Sequence, residues 1–295
     1  MPTERIKYLD PKNDLTFRKI FGQHPDIMKS FLNSILPLAE NQHIVSLTYE
    51  DPALIPELPE LKHSIVDVKC TDNFGRQFIV EMQMYWTNSF KSRMLFNSGK
   101  AYVKQIEKGH KYSELKPVYG ISLVNEIFLT ESKYTDKYYH HYRLAHQEFP
   151  NNVIEGIELI FIELPKFKAQ NFTEKKLRTL WLRFLTEIDE TTEKVPTDLS
   201  SQEQIKKALE QLQVSAFSKN ELAYYDKYWD RVRTERAAID DAIRQAEIAQ
   251  RKKEEAEQRE KEALIKLAKK MKRYGENIDE IIKETGLTKN EIKNL

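Results

Sequence analysis

Between Ser64 and Met84 the chain reads S-I-V-D-V-K-C-T-D-N-F-G-R-Q-F-I-V-E-M-Q-M, two apolar arms joined by turn residues. This stretch restricts the fold most, because it reads as a β-hairpin whose side-chain alternation assigns a face to every residue. Ile65, Val66, Val68 and Cys70 make the first arm; Phe78, Ile79, Val80, Met82 and Met84 make the second. Asp72-Asn73-Phe74-Gly75 supplies turn chemistry, with Gly75 able to take a positive φ. Asp67 and Lys69 then share one face of the first arm. Glu81 and Gln83 share one face of the second, with Val80 and Met82 on the other. Two acids thus sit mid-strand among apolar residues, where an unpaired carboxylate is costly to bury. A cation is expected beside them, and a hard divalent metal held by two carboxylates is one solution.

Asp67, thirteen intervening residues and then Glu81-Met82-Gln83 resembles the D…(D/E)-x-K signature of PD-(D/E)XK nucleases, with Gln83 in the place of the lysine. Two flanking blocks narrow the resemblance. Asn13-Asp14-Leu15-Thr16-Phe17-Arg18-Lys19-Ile20-Phe21-Gly22 lies upstream, and the run from Ser92 to Gly109 lies downstream. Both resemble blocks of the recombination-promoting nucleases, also called PD-(D/E)XK nuclease family transposases. The similarity runs from about Tyr8 to about Trp229.

The resemblance implies a mixed α/β (α+β) fold: a restriction-endonuclease-like αβββαβ core with an added strand and helices. It implies hydrolysis of DNA phosphodiester bonds, in connection with recombination or mobile elements. It also implies a Mg²⁺, or another divalent ion such as Mn²⁺ or Ca²⁺, held by Asp67, Glu81 and the backbone carbonyl of Met82. Gln83 can orient a water but carries no charge; glutamine there matches the narrower family. Lys69, on Asp67's face, or Lys100, on the next helix, can restore the missing charge. The bland reading of Lys69 is a solvent-facing strand lysine. Asp14 is either a helix cap or, as in some members of the superfamily, an extra acid near the metal.

Arg93, Asn97, Lys100 and Lys104 recur at spacings of four, three and four in a helix expected over Asn88 to Lys108, so they share one face. The resemblance places that helix against the hairpin, where the stripe would grip DNA phosphates. The bland alternative is a solvated helix face.

The rest of the chain adds fewer constraints. Residues 13–36 read as two helices, the first ended by Gly22. Ile44 to Tyr49 reads as an edge strand, Val118 to Val124 as a short strand, and Ile157 to Leu164 as a strand added to the sheet. The Tyr- and His-rich run Tyr134 to Tyr142 reads as a surface loop; His140-His141 lacks a third metal ligand. Phe172 to Ile188 is amphipathic, and a polar linker near Thr191 to Ser201 leads to more helix. Four parts are expected: a core over 1–165, a helical extension over 166–229, a long charged helix over 230–263 and a small helical tail over 264–295.

The long helix carries a faint heptad, Ile239, Ala246, Lys253, Glu260 and Leu267, with Ala242, Ala249, Ala256 and Ala263 beside it. Homo-oligomerisation through this region and a single solvated helix are both compatible with it. In the tail, Leu264, Leu267, Ala268 and Met271 share a face, Gly275 and Gly286 turn the chain, Asn277 caps a helix, and Thr288 with Glu291 makes a capping box. The pattern resembles a truncated helix-turn-helix with a basic cluster, Lys266, Lys269, Lys270, Lys272 and Arg273, suited either to DNA or to packing.

Net charge is only +1, so no general pull on nucleic acid exists and any basic surface must be local. The single cysteine excludes a disulfide framework and a cysteine zinc site. No signal peptide and no apolar run near the length of a membrane span is evident, so a cytoplasmic protein is expected. A metal-dependent DNA endonuclease is the first function to weigh. The alternative is a DNA-binding or oligomerising scaffold with a degenerate nuclease core; RNA as substrate stays open.

Overall fold

In the computed structural model the chain divides into two units, residues 1–232 and 233–295. The structure describes residues 8–50, 53–54, 64–65, 68–87, 89–106, 111–169 and 176–295.

The first unit is built on a mixed six-stranded sheet. Its opening helices are α1 (Asp14–Gln23) and α2 (Pro25–Ile35). The Asn13 side chain accepts from the Leu15 N–H at 2.9 Å and so caps α1. Gly22 does not end α1, as its sequence position suggested: the helix runs through it and stops at His24, because the residue before Pro25 disfavours helical backbone.

The strands are β1 (Leu47–Glu50), the two-residue strands β2 (Ala53–Leu54) and β3 (Ser64–Ile65), then β4 (Val68–Asp72) and β5 (Gln77–Gln83). Helix α3 (Phe90–Val103) leads to β6 (Val118–Val124), β7 (Tyr139–Ala145) and β8 (Val153–Glu163). The sheet order is β1-β4-β5-β6-β8-β7. The hairpin forms as expected: β4 and β5 pair antiparallel with Val68 opposite Val80, and Gly75 turns between them at φ 80°. β5, β6 and β8 are parallel, which requires the α3 crossover. This is the αβββαβ core with strands added at one edge.

One expectation fails here. Tyr139 to Ala145, within and beyond the run read as a loop, form the edge strand β7 against β8. Only His140 among them is buried, so the alternation that announces a strand is hidden by solvent on its outer side.

Each face of the sheet has its own cover. Val68, Cys70, Phe78, Val80, Met82, Ile121, Leu123, Ile160 and Ile162 pack with α1, α2, α4 (Lys176–Glu187) and α6 (Glu203–Gln211). Between the last two lies α5 (Thr197–Ser200). Phe17, Phe21, Phe31, Trp181 and Phe184 are fully buried there. Each large apolar side chain so removed from water contributes about 1.5–3 kcal/mol before entropic costs. On the other face Ile79, Val118, Val124 and Phe161 meet Phe90, Met94 and Ala101 of α3. Gly120 permits that approach: a Cβ there would lie 2.6 Å from Ser98 Oγ and 2.8 Å from Met94 Sδ.

Helix α7 (Lys219–Arg273) starts in the first unit and continues through most of the second. Tyr225 on it is buried, and its hydroxyl donates to Glu190 at 2.6 Å, so this aromatic packs. In the second unit α8 (Ile278–Thr285) and α9 (Lys289–Lys293) fold on the end of α7 around Ala268, Ile281, Leu287 and Ile292. The Asn277 cap, the left-handed Gly286 and the Thr288–Glu291 capping box all form. Among the described residues no helix is long and apolar enough to cross a membrane.

Candidate active site

Register decides which side chains meet. Lys69 lies opposite Ile79, and Ile79 is two residues from Glu81, so Lys69, Glu81 and Gln83 project from the face that α3 covers. Met82 projects from the other face and is buried in the main core.

Glu81 is the centre of the group. It is 5% exposed, in the middle of β5. Asn97, itself fully buried on α3, donates to Glu81 Oε1 at 3.1 Å, and Arg93 approaches Oε2 at 3.4 Å. Burial pushes the Glu81 carboxyl above the usual carboxylate range, against the pull of the Arg93 charge and the Asn97 hydrogen bond. Gln83 is engaged at both ends of its amide. Its Oε1 accepts from Arg93 at 2.7 Å, and its Nε2 donates to the Tyr85 carbonyl at 2.8 Å. Arg93 bridges Glu81 and Gln83, yet its side chain stays 46% exposed.

A second polar cluster lies on the same face. Lys69 is buried and its Nζ stands 2.6 Å from Glu50 Oε2, with Thr71 donating to the other oxygen of Glu50. Burial would raise the Glu50 carboxyl, but the hydrogen bonds from Lys69 and Thr71 and the charge of Lys69 outweigh it and hold Glu50 below its ordinary value. The charge of Lys104, at the end of α3, acts in the same direction. Sequence reasoning passed over Glu50. Its only signal is the cross-strand pairing of Glu50 with Lys69, which appears once β1 is in register with β4.

The helix face read from spacing divides in two. Arg93 and Asn97 turn to the carboxylate, Asn97 completely buried. Lys100 is half-buried with its Nζ 5.5 Å from the Phe96 ring, and Lys104 is exposed. Asp14 lies apart from this group: it pairs with Arg18 at 2.8 Å and accepts from the Tyr224 hydroxyl at 3.2 Å. Helix α1 covers the opposite face of the sheet, beside Val68 and Cys70. His140 and His141 bond to Glu163 and Glu158 respectively. Asp67 lies outside the described residues, as do Asn88 and Lys108, the expected limits of the helix that is seen as α3.

The donor chemistry of Glu81 fits a hard divalent cation: an oxygen ligand, held in orientation by Asn97, buried, and offset among the described residues by the half-exposed Arg93 guanidinium. Among the described residues no three acidic, histidine or cysteine side chains gather into a metal cluster.

A family model described as PD-(D/E)XK nuclease family transposase matches residues 11–242. No curated protein and no solved structure matches the chain.

Proposed function

The chain belongs to the PD-(D/E)XK nuclease family transposases, and on that premise we propose that it is a divalent-metal-dependent DNA endonuclease with its active site at Glu81. The observation that carries this reading is the buried carboxylate on the central hairpin strand, bonded by Asn97 and bridged through Arg93 to Gln83. Family nucleases act on DNA with divalent ions. Glu81, Asp67 and the Met82 carbonyl would hold the ion, Mg²⁺ by preference. Such an ion polarises a phosphoryl oxygen and lowers the pKa of an attacking water.

The chain's own groups have distinct tasks. Asn97 fixes the rotamer of Glu81. Arg93, half-exposed and only 3.4 Å from the carboxylate, is the group able to swing to a substrate phosphate. Lys69 supplies a fixed positive charge on the same face, held in place by Glu50. Lys100 and Lys104 continue the cationic side of α3. The protein acts in the cytoplasm, and the heptad of the long helix supplies a pairing surface for a second copy.

One observation favours a second reading, a DNA-binding scaffold that no longer cuts. Both ends of the Gln83 amide are already bonded, so orienting a water requires breaking one of those bonds.

Supercoiled plasmid incubated with the protein in Mg²⁺, Mn²⁺, Ca²⁺ or EDTA separates the two. Nicked product with Mg²⁺ or Mn²⁺ and none with EDTA supports the endonuclease. A protein that retards the plasmid but nicks it under no ion is the scaffold.

A further inference from the structure

Helix α7 changes character near its end. From residue 233 to 262 it carries eight basic and nine acidic side chains. Neighbours one turn apart pair: Arg236 with Asp240 at 3.0 Å, and Arg251 with Glu255 and Lys253 with Glu257 at 3.8 Å. That is how a solvated helix face is built. From residue 263 to 275 there are five basic side chains and no acid. Among the described residues none of Lys266, Lys269, Lys270 and Arg273 takes part in an ion pair, and all four are exposed.

Their spacing of three, one and three places them on one face of the helix, within about 10 Å along its axis. That face is opposite the one carrying Ala268 and Met271, which packs against α8 and α9. The fifth cation, Lys272, is used differently: its Nζ donates to the carbonyls of Ile292 and Lys293 at 3.1 and 3.2 Å and so finishes the C-terminus of α9. Basic residues near a helix C-terminus also offset the helix dipole, but that effect fades within the last turn. It does not account for Lys266 and Lys269.

We infer that Lys266, Lys269, Lys270 and Arg273 form a phosphate-gripping stripe for nucleic acid in the second unit. The stripe belongs to the last turns of α7. Helix α9, the element a helix-turn-helix pattern would nominate, has only five residues. Two features favour nucleic acid over an anionic membrane. Ala268 and Met271 on the apolar face of this part of α7 are covered by α8 and α9, so Leu267 and Tyr274 are the exposed large apolar side chains beside the cations, too few to anchor a helix in a bilayer. Next to the stripe stands Tyr274, 74% exposed, an aromatic able to stack on a base.

The test measures binding of the full chain to a double-stranded oligonucleotide by fluorescence anisotropy, without metal, over a series of salt concentrations. The variant changes Lys266, Lys269, Lys270 and Arg273 together to Ala; the control changes the paired residues Arg251 and Lys253 to Ala. Removing one cation that neutralises a phosphate lowers the slope of log K against log salt by about 0.9. We expect the fourfold variant to show at least one such step and to bind at least about tenfold more weakly at low salt, with the control unchanged. Equal slopes and affinities for wild type and the fourfold variant overturn the inference. So does a variant that loses binding to phosphatidylserine vesicles while its DNA binding stays intact. Single changes Lys266→Gln and Lys269→Gln give the same readout if the fourfold variant unfolds. Because no metal is present, the result stands apart from whether Glu81 supports cleavage.

Discussion

Glu81 and Asn97 form a buried pair, the carboxylate almost and the amide wholly removed from solvent. A buried acceptor that loses its donor retains the whole desolvation cost. Asn97→Leu keeps the branched shape and the number of side-chain heavy atoms but removes the 3.1 Å hydrogen bond. It is expected to lower stability by about 1–3 kcal/mol, read from the urea midpoint, and to reduce nicking by releasing the carboxylate. A variant with unchanged midpoint would mean that Asn97 does not support Glu81. The facing of Glu81 and Gln83 was legible in the sequence, because strand alternation is local. The partnership of Lys69 with Glu50 was not. It joins residues on two strands separated by a long connection, and no local pattern gives their register.

At the scale of elements, the approach of α3 to β6 sets where Arg93 and Asn97 stand. Gly120→Ala inserts a methyl group where Ser98, Met94 and Leu159 all lie within 3 Å. Overpacking of this kind costs about 1–3 kcal/mol. Thermal unfolding should show it, together with weaker nicking as α3 is pushed from the sheet; an unchanged Tm would contradict the packing described. The loop between β6 and β7 is pinned by another buried group. Glu163 accepts from the Phe128 and Leu129 N–H groups at 2.7 and 3.1 Å and from Lys166 and His140 at 2.8 Å each. Burial works against its charge, but these donors, Lys166 foremost, hold its carboxyl below the ordinary value. A carboxyl depressed on folding contributes stability that is complete above about pH 4.3, the usual unfolded value, and is lost as pH falls through the lowered folded one. Glu163→Gln should therefore cost stability at pH 6 and lose much less at pH 3, measured by urea unfolding at both. An equal loss at both values would assign the effect to packing. The element boundaries were legible where caps are local, as at Asn13, Asn277, Gly286 and Thr288. They were obscured elsewhere: Gly22 sits inside α1 because the helix stop is set by Pro25 two residues after Gln23, and β7 hides its alternation at a solvent-facing edge.

At the scale of the whole molecule, two units have to be assigned separate tasks. The heptad from Ile239 to Leu267 predicts that the full chain sediments as a dimer or higher species and that a chain ended after Trp229 sediments as a monomer. Equal monomer masses for both would remove the pairing surface. The family and the αβββαβ core were legible because three blocks occur in order around one hairpin; the division of labour inside the site required the pairing of strands. The central claim, that the carboxylate at Glu81 performs the chemistry, has a direct measurement. Glu81→Gln retains the size of the side chain and an oxygen for the Asn97 hydrogen bond while removing the charge a metal needs. With folding matched by circular dichroism and metal-free DNA binding retained, its plasmid nicking in Mg²⁺ should fall to background. A folded Glu81→Gln variant that nicks at the wild-type rate would contradict the assignment of this site.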